Sequence, residues 1–342
     1  MIILTDKSFR ENLFPFTHTR HTADIRIGIL TIREKWQMLT GEQICTDENE
    51  TGIFIPANII PTQENFELVL SNAKKDVSTQ ESAVVKIIKY PWHIFQHNDF
   101  ALRNDFAMLT NGRKSQTLPE GNRAVNPENI FTEPGAKISC SILNADTGPI
   151  YIGADAEIME GNMIRGPFSL GAGSVLKMGS KVYGATTIGP HCVAGGEIKN
   201  SVLFANSNKA HDGYLGDSVL GEWCNLGAGT SNSNVKNTGG NIGYKLTNDS
   251  ETVNAGNKAG LLMGDYSRSA INTSFNTGSV VGVCCNIFGK KIPDKYTENF
   301  TWGNDRYIFE KALADIENWK KMKHDILTEP EIKNLLELYD RN

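Results

Sequence analysis

Long apolar runs are missing. Nowhere do the roughly 18 consecutive apolar residues of a membrane-spanning helix occur, which excludes a transmembrane helix. The first residues, MIILTDKSFRENLFPF, carry Asp6, Lys7, Arg10 and Glu11 where an export signal needs an unbroken apolar stretch. A soluble, cytoplasmic protein is expected. Cysteine is sparse and scattered: Cys45, Cys140, Cys192, Cys224, Cys284 and Cys285 contain no CxxC, so neither a disulfide framework nor a zinc ribbon is implied. They read as free, mostly small core residues. Neither sign of charge dominates, with 34 basic against 39 acidic residues and a net charge of -5. No global field draws the chain to nucleic acid or an anionic membrane, and neither is expected as a partner.

Glycine is scarce at both ends, since all but six of the 32 lie between Gly135 and Gly289. Within that segment Ile152, Ile158, Ile164, Leu170, Leu176, Val182 and Ile188 stand six residues apart. Four residues after each come Ala156, Asn162, Phe168, Ser174, Ser180, Thr186 and Cys192, mostly small. A helix requires a period of 3.6 and an alternating strand a period of 2, whereas hexapeptides build the flat faces of a triangular parallel β-helix. Three hexapeptides make one coil, and each coil covers the open edge of the one before. The pattern resumes at Leu220 and Leu226, then at Met263, Ser269, Phe275, Val281 and Ile287. Between lie a short polar excursion, Asn206 to Tyr214, and a long Asn/Gly/Thr/Ser-rich one, Ser231 to Lys258. Insertions in solenoids project from one face and often bind ligands.

Residues 1–111 read as a small mixed α/β domain. Residues 2–5 form a candidate strand, as do GIFIPANIIPT and AVVKIIK; Ile25, Ile29, Ile32, Trp36 and Leu39 make a helical stripe starting near Thr22. A long helix is expected from Pro91 to Gly112. Residues 112–128 read as a linker, 129–292 as the β-helix, and 303–342 as a helical tail. In that tail Ile308, Ala312, Ile316 and Trp319 mark one helix, and Thr328 with Glu331 a capping box opening another.

Residues 197–234 carry the chemistry. His211, Tyr214, Leu215, Gly216 and Asp217, followed by Asn225, Leu226, Gly227, Ala228, Gly229 and Thr230, resemble the acetyltransferase domain of the bifunctional N-acetylglucosamine-1-phosphate uridyltransferase/glucosamine-1-phosphate acetyltransferase family. That family's pattern reads His-x-x-Tyr-Leu-Gly-Asp, then Asn-[Ile/Leu]-Gly-Ala-Gly-Thr. The resemblance covers roughly residues 130–290, through Glu197, Lys199, Asn200 and Ser201 and again through LLMGDYSRSAINTS.

The resemblance implies a left-handed β-helix, a homotrimer with sites shared between subunits, and acetyl transfer from acetyl-CoA, a substrate, to an amino-sugar 1-phosphate. It makes His211 the general base, whose ordinary pKa near 6.5 suits neutral pH. Asn225 orients the reacting groups, Ala228 and Gly229 form the oxyanion and acetyl-CoA site, and Lys199, Tyr214 and Asn234 hold the acceptor. Two departures stand out. The family's Arg-Pro phosphate clamp has no counterpart, leaving Lys181 or Arg165 as the replacement cation, and its Lys-Ala-Gly-His is one residue shorter here, as Lys209, Ala210, His211. Gamma-class carbonic anhydrases use the same helix with zinc, but only His191 and His211 lie in the repeat, too few for a zinc set. No metal is expected there.

Arg10, Leu13, Pro15, Phe16 and Thr17 echo the end of the Gly-Thr-Arg-Leu-x-Pro-Leu-Thr loop of sugar-nucleotide pyrophosphorylases, yet DKSFREN holds no glycine to cradle phosphates. The N-terminal domain therefore reads as a truncated nucleotidyltransferase-like relative that is inactive, with Mg2+ required only if it works. Arg20, Asp24 and Arg26 read as surface salt bridges. Acetyl transfer is expected to survive in a segment starting near Asn129. Sugar-1-phosphate nucleotidyltransfer from UTP or dTTP, and a non-catalytic trimeric scaffold, are the alternatives.

Overall fold

The computed structural model describes residues 1–289 and 292–341. From Arg123 onward the chain winds into a parallel β-helix. Its first face is a nine-stranded sheet running from Ile130–Thr132 to Tyr296–Thr297. The second face has ten strands, beginning at Lys137–Ile138 and ending in the hairpin Thr301–Trp302 and Asp305–Arg306. Six strands, Arg123–Val125 to Tyr214–Gly216, form the third face. The hexad residues fill the lumen as expected: Ile152, Leu170 and Ile188 are in register at 18-residue intervals and fully buried. The next coil is tighter, for Leu203 follows Ile188 by only 15 positions.

Each coil bends at residues with positive φ, the region that favours glycine. At the corner between the first and second faces the early coils place Asp155, Gly173, His191 and Asn206 there, while the later ones place Trp223, Tyr266, Cys284 and Phe300, at φ of 54° to 60°. Bulky residues in this conformation cost about 1 to 3 kcal/mol each. All four are buried against two helices, α5 (Phe309–Met322) and α6 (Glu329–Asp340), with Ile316, Leu335 and Leu338. Aromatic burial of this kind outweighs the strain. The tail helices thus lie along the flank of the last coils. The expected Thr328/Glu331 capping box is formed.

In the N-terminal domain β1 (Ile2–Thr5) runs between two parallel neighbours, β2 (Ile44–Cys45) and β3 (Ile53–Pro56). The stripe expected from Thr22 is a helix only over α1 (Ile32–Thr40), opened by a Thr31/Glu34 capping box. Residues before it are held by a short 3-10 turn, Thr22–Asp24, and by an Arg26–Thr31 bridge. A second helix, α2 (Phe66–Lys74), covers β3. The helix expected from Pro91 is split at His97 into α3 (His93–Gln96) and α4 (Asn98–Thr110). Asn98 explains the break: its side chain accepts from the Gly28 amide and donates to the Ala185 carbonyl, each at 2.7 Å, so α4 starts where it ties the two domains. Gly28 is obligatory here, since at φ 73° a Cβ would stand 2.4 Å from Asp105.

This domain does not hang from the solenoid by a linker. Val202, Phe204, Val219, Leu262 and Val280 of the first face share one apolar cluster with Leu13, Phe16, Trp36 and Trp92. The long insertion joins the same cluster. Its hairpin, Gly243–Tyr244 with Val253–Asn254, buries Ile242, Tyr244 and Ala255, and Tyr244 stacks on Trp92 at 5.2 Å. The long polar insertion is thus covered in part by this chain's own N-terminal domain. Arg20, expected in a surface salt bridge, instead has a side chain only 9% exposed, paired with Asp265 of the solenoid at 2.5 Å and with the Glu222 carboxylate at 3.6 Å. Asp24 and Arg26 pair locally, with Arg33 and Glu34. Asn334 of α6 donates to the Thr19 carbonyl at 3.0 Å, so both ends of the chain meet on the same side of the solenoid.

Candidate acetyl-transfer site

The second and third faces of one stretch of solenoid, with the corner between them, carry the residues singled out from sequence. His211 stands at the corner between the second and third faces, exposed, and its ring makes no hydrogen bond among the described residues. One coil above, the same corner is formed by Gly227 to Thr230: the Gly229 amide donates to the Asp212 carbonyl at 3.0 Å. Gly227, Gly229 and Thr230 all spend their amides on backbone carbonyls, whereas among the described residues no hydrogen bond takes the Ala228 amide. Glycine is needed where coils touch, since a Cβ on Gly213 would lie 2.1 Å from the Thr230 oxygen.

Around that corner, on the third face, Lys199, Tyr214 and Asn234 are brought together. The Asn234 side-chain amide donates to the Tyr214 hydroxyl at 3.0 Å and to Asp217 at 2.5 Å. Asp217 is buried, at positive φ, and also receives Asn200 at 2.6 Å. This aspartate is the hub the sequence motif did not assign a role. Lys199 is in register with Tyr183 below and Gly216 above, its ammonium 5.6 Å from the centre of the Tyr183 ring. The Tyr183 hydroxyl donates to Glu197 at 2.5 Å, and that bond, with burial second, pushes its pKa up to about 12. Burial raises Tyr214 as well, with Asp217 adding to it. Both phenols are therefore neutral hydrogen-bonding groups at physiological pH.

Gly216 exists for Tyr214: a Cβ there would stand 2.2 Å from the Tyr214 hydroxyl. Replacing Gly216 by alanine is expected to leave the fold intact, swing the phenol off Asn234, and raise the KM for the acceptor about fivefold, the worth of one hydrogen bond near 1 kcal/mol. Steady-state kinetics with varied acceptor checks this.

The two candidate replacement cations differ in placement. Lys181 is exposed beside Glu197 in register, while Arg165 lies two strands before Lys199, with the Tyr183 strand between. Asn225 is not part of the third-face cluster. It faces outward on the second face, in register between Asn208 and Arg268. Arg268 is buried beneath the Trp319 ring of α5, 5.1 Å from its centre, and burial lowers its pKa. The described residues contain no group of three metal-ligating side chains close enough to hold an ion, and no helix is long and apolar enough to cross a membrane.

In the N-terminal domain the stretch that echoes the nucleotide loop is tied up internally. Asp6 accepts from Arg10, from the Thr22 amide and from the Thr22 hydroxyl at 2.9 to 3.0 Å. Even so, residues 2–55 and 56–114 match the family described as sugar nucleotidyl transferase. The bifunctional sugar-1-phosphate nucleotidylyltransferase/acetyltransferase of Sulfurisphaera tokodaii is 30% identical over 250 residues, 70% of this chain and 55% of that one. Over part of its length this chain is similar to these bifunctional transferases. The bifunctional protein GlmU of Methanocaldococcus jannaschii is 33% identical over 117 residues, 34% of this chain and 28% of its own length. GlmU of Picosynechococcus is 29% identical over 143 residues, 41% and 25% of the two chains. The matches thus span about a quarter to a half of the length of these relatives. They support a β-helix transferase with a nucleotidyltransferase-like N-terminal domain.

Proposed function

We propose that the protein transfers the acetyl group of acetyl-CoA to the amine of an amino-sugar 1-phosphate, glucosamine 1-phosphate by its motif, within amino-sugar nucleotide synthesis. The observation that carries this reading is the unclaimed Ala228 amide one coil above the exposed His211, beside the Lys199–Tyr214–Asn234 cluster. The amine nitrogen attacks the thioester carbonyl while His211 takes its proton. Negative charge on the carbonyl oxygen is met by the Ala228 amide; a fixed donor of this kind contributes about 3 to 4 kcal/mol. The C–S bond then breaks, the thiolate leaves, and His211 returns the proton to it. Lys199, with Lys181 or Arg165, meets the sugar phosphate, and Asn225 orients the donor from the adjacent face. Sharing of sites within a homotrimer accords with the motif resemblance, and light scattering at micromolar concentration tests it.

Nucleotidyl transfer in the N-terminal domain is the second reading, favoured by the family match over residues 2–114. Mg2+ belongs to that reading alone. Against it stand the missing glycines and the internal pairing of Asp6 with Arg10. An acetyl-CoA assay run beside a nucleotide-dependent pyrophosphate-exchange assay separates the two. Acetyl transfer without exchange is the expected result, exchange alone would reverse the assignment, and neither would leave a sugar-nucleotide-binding scaffold.

A further inference from the structure

We propose that Lys209 is a positioning residue of this site, its side chain holding the His211 turn from inside the coil. The inference rests on the acetyl-transfer reading above. Along the second face the inward position is occupied in turn by Ile138, Ile158, Leu176 and Ala194, each in register with the next. The residue in register after Ala194 is Lys209, 2% exposed. A lysine in that lumen leaves water for a wall of aliphatic side chains, which costs several kcal/mol. The one hydrogen bond its ammonium makes among the described residues is to the carbonyl oxygen of His211. An aliphatic residue would fill the position with less loss, so the lysine is not there for stability.

The turn it grips lies where the coil shortens to 15 residues. Backbone hydrogen bonds hold its later residues, from the Gly229 amide to the Asp212 carbonyl and from the Glu197 amide to the Gly213 carbonyl, but among the described residues only the Lys209 ammonium bonds the His211 carbonyl. Lys209 reaches that carbonyl from inside the coil. Its carbonyl contact fixes the peptide that carries the His211 side chain, and so the direction of the imidazole toward the Ala228 corner. Burial pushes the Lys209 pKa down to about 8, with Asp212, the charged neighbour that bears on it, acting the other way. Below that pH the bond to the carbonyl is charge-assisted and strong, and above it the neutral amine binds more weakly. The wild-type kcat should therefore carry a fall as pH rises through about 8.

The test is Lys209→Met, with Lys209→Leu as a second variant matching the lumen residue Leu226. The expected result has four parts. The thermal midpoint is equal to or above that of wild type. The kcat is ten- to a hundredfold lower, with both KM values within twofold. The fall above pH 8 is lost. The His211 Cε1 resonance moves in a 13C-histidine NMR spectrum. Wild-type kcat and pH profile with an unmoved His211 resonance overturn the proposal, and so does loss of folding in both variants, which would make the ammonium a folding element. If the wild-type protein transfers no acetyl group, the functional reading fails on its own, and the His211 resonance decides the clamp: moved supports it, unmoved ends it.

Discussion

Alanine at His211 is expected to slow acetyl transfer by about two to four orders of magnitude, the range over which a positioned general base acts. The size of the loss follows from the site's economy of groups. Of the titratable side chains near this corner, the phenols of Tyr183 and Tyr214 are held protonated and Lys209 is turned into the lumen. Structure should not suffer, because His211 is exposed and its ring has, among the described residues, no partner whose loss would leave a buried group unpaired. Circular dichroism and the thermal midpoint should match wild type while turnover falls. Near-normal turnover would remove the proton-transfer role and move attention to the amine's own ionisation.

Deleting the N-terminal domain is expected to abolish the native fold of what remains, a larger effect than any single substitution in the site. A chain from Asn129 to Asn342 keeps His211, Asn225 and Ala228, and its sequence alone suggests that it works unaided. The first face argues otherwise. Val202, Phe204, Val219, Leu262 and Val280 would be turned to water, together with the Tyr244 hairpin that now rests on Trp92. Uncovering a large aliphatic or aromatic side chain costs about 1.5 to 3 kcal/mol, so these residues together cost as much as the typical net stability of a domain, about 5 to 15 kcal/mol. Asp265 would also lose Arg20, leaving a buried carboxylate without its counter-charge. The fragment should aggregate or bind a hydrophobic dye strongly. A soluble fragment with a sharp thermal transition would show that the shared cluster is dispensable.

The solenoid is legible in the sequence because its signal is strictly periodic: an aliphatic every six residues, with small residues at the corners, admits few other folds. The N-terminal strands and the tail helices are legible for similar local reasons, such as the Thr328/Glu331 box. What stays hidden depends on contacts between distant segments. Nothing near Asn98 announces that its side chain will bridge Gly28 and Ala185, so the helix from Pro91 reads as continuous. The 231–258 insertion looks polar because Ile242, Tyr244, Leu246 and Ala255 are thinly spread among Asn, Gly and Thr. In the candidate site the Tyr214–Asn234 pair matches the motif, but Asn225 lies on a different face, which spacing cannot reveal. Lys209 is visible as part of the shortened motif, but its place in the lumen is not, because the hexad phase breaks after Ile188; a count carried across the shortened coil exposes a charge in an aliphatic slot.

Solenoids commonly vary in length by whole coils, and the docking of the two flanking elements sets where this one has freedom to do so. The N-terminal domain grips the first face from Thr187 to Val280, and α5 and α6 grip the corner from Trp223 to Phe300. An extra coil inserted anywhere along that span would slide one clamp past its contacts by a strand spacing, about 4.8 Å. Before Ala185 the tethers among the described residues are the contacts of Arg103 with Thr147 and of Arg113 with Glu133 and the Phe131 ring. Duplication or loss of an 18-residue unit is thus geometrically open at the early coils alone, and the molecule is a ratchet that lengthens from one end while its chemistry stays fixed at the other.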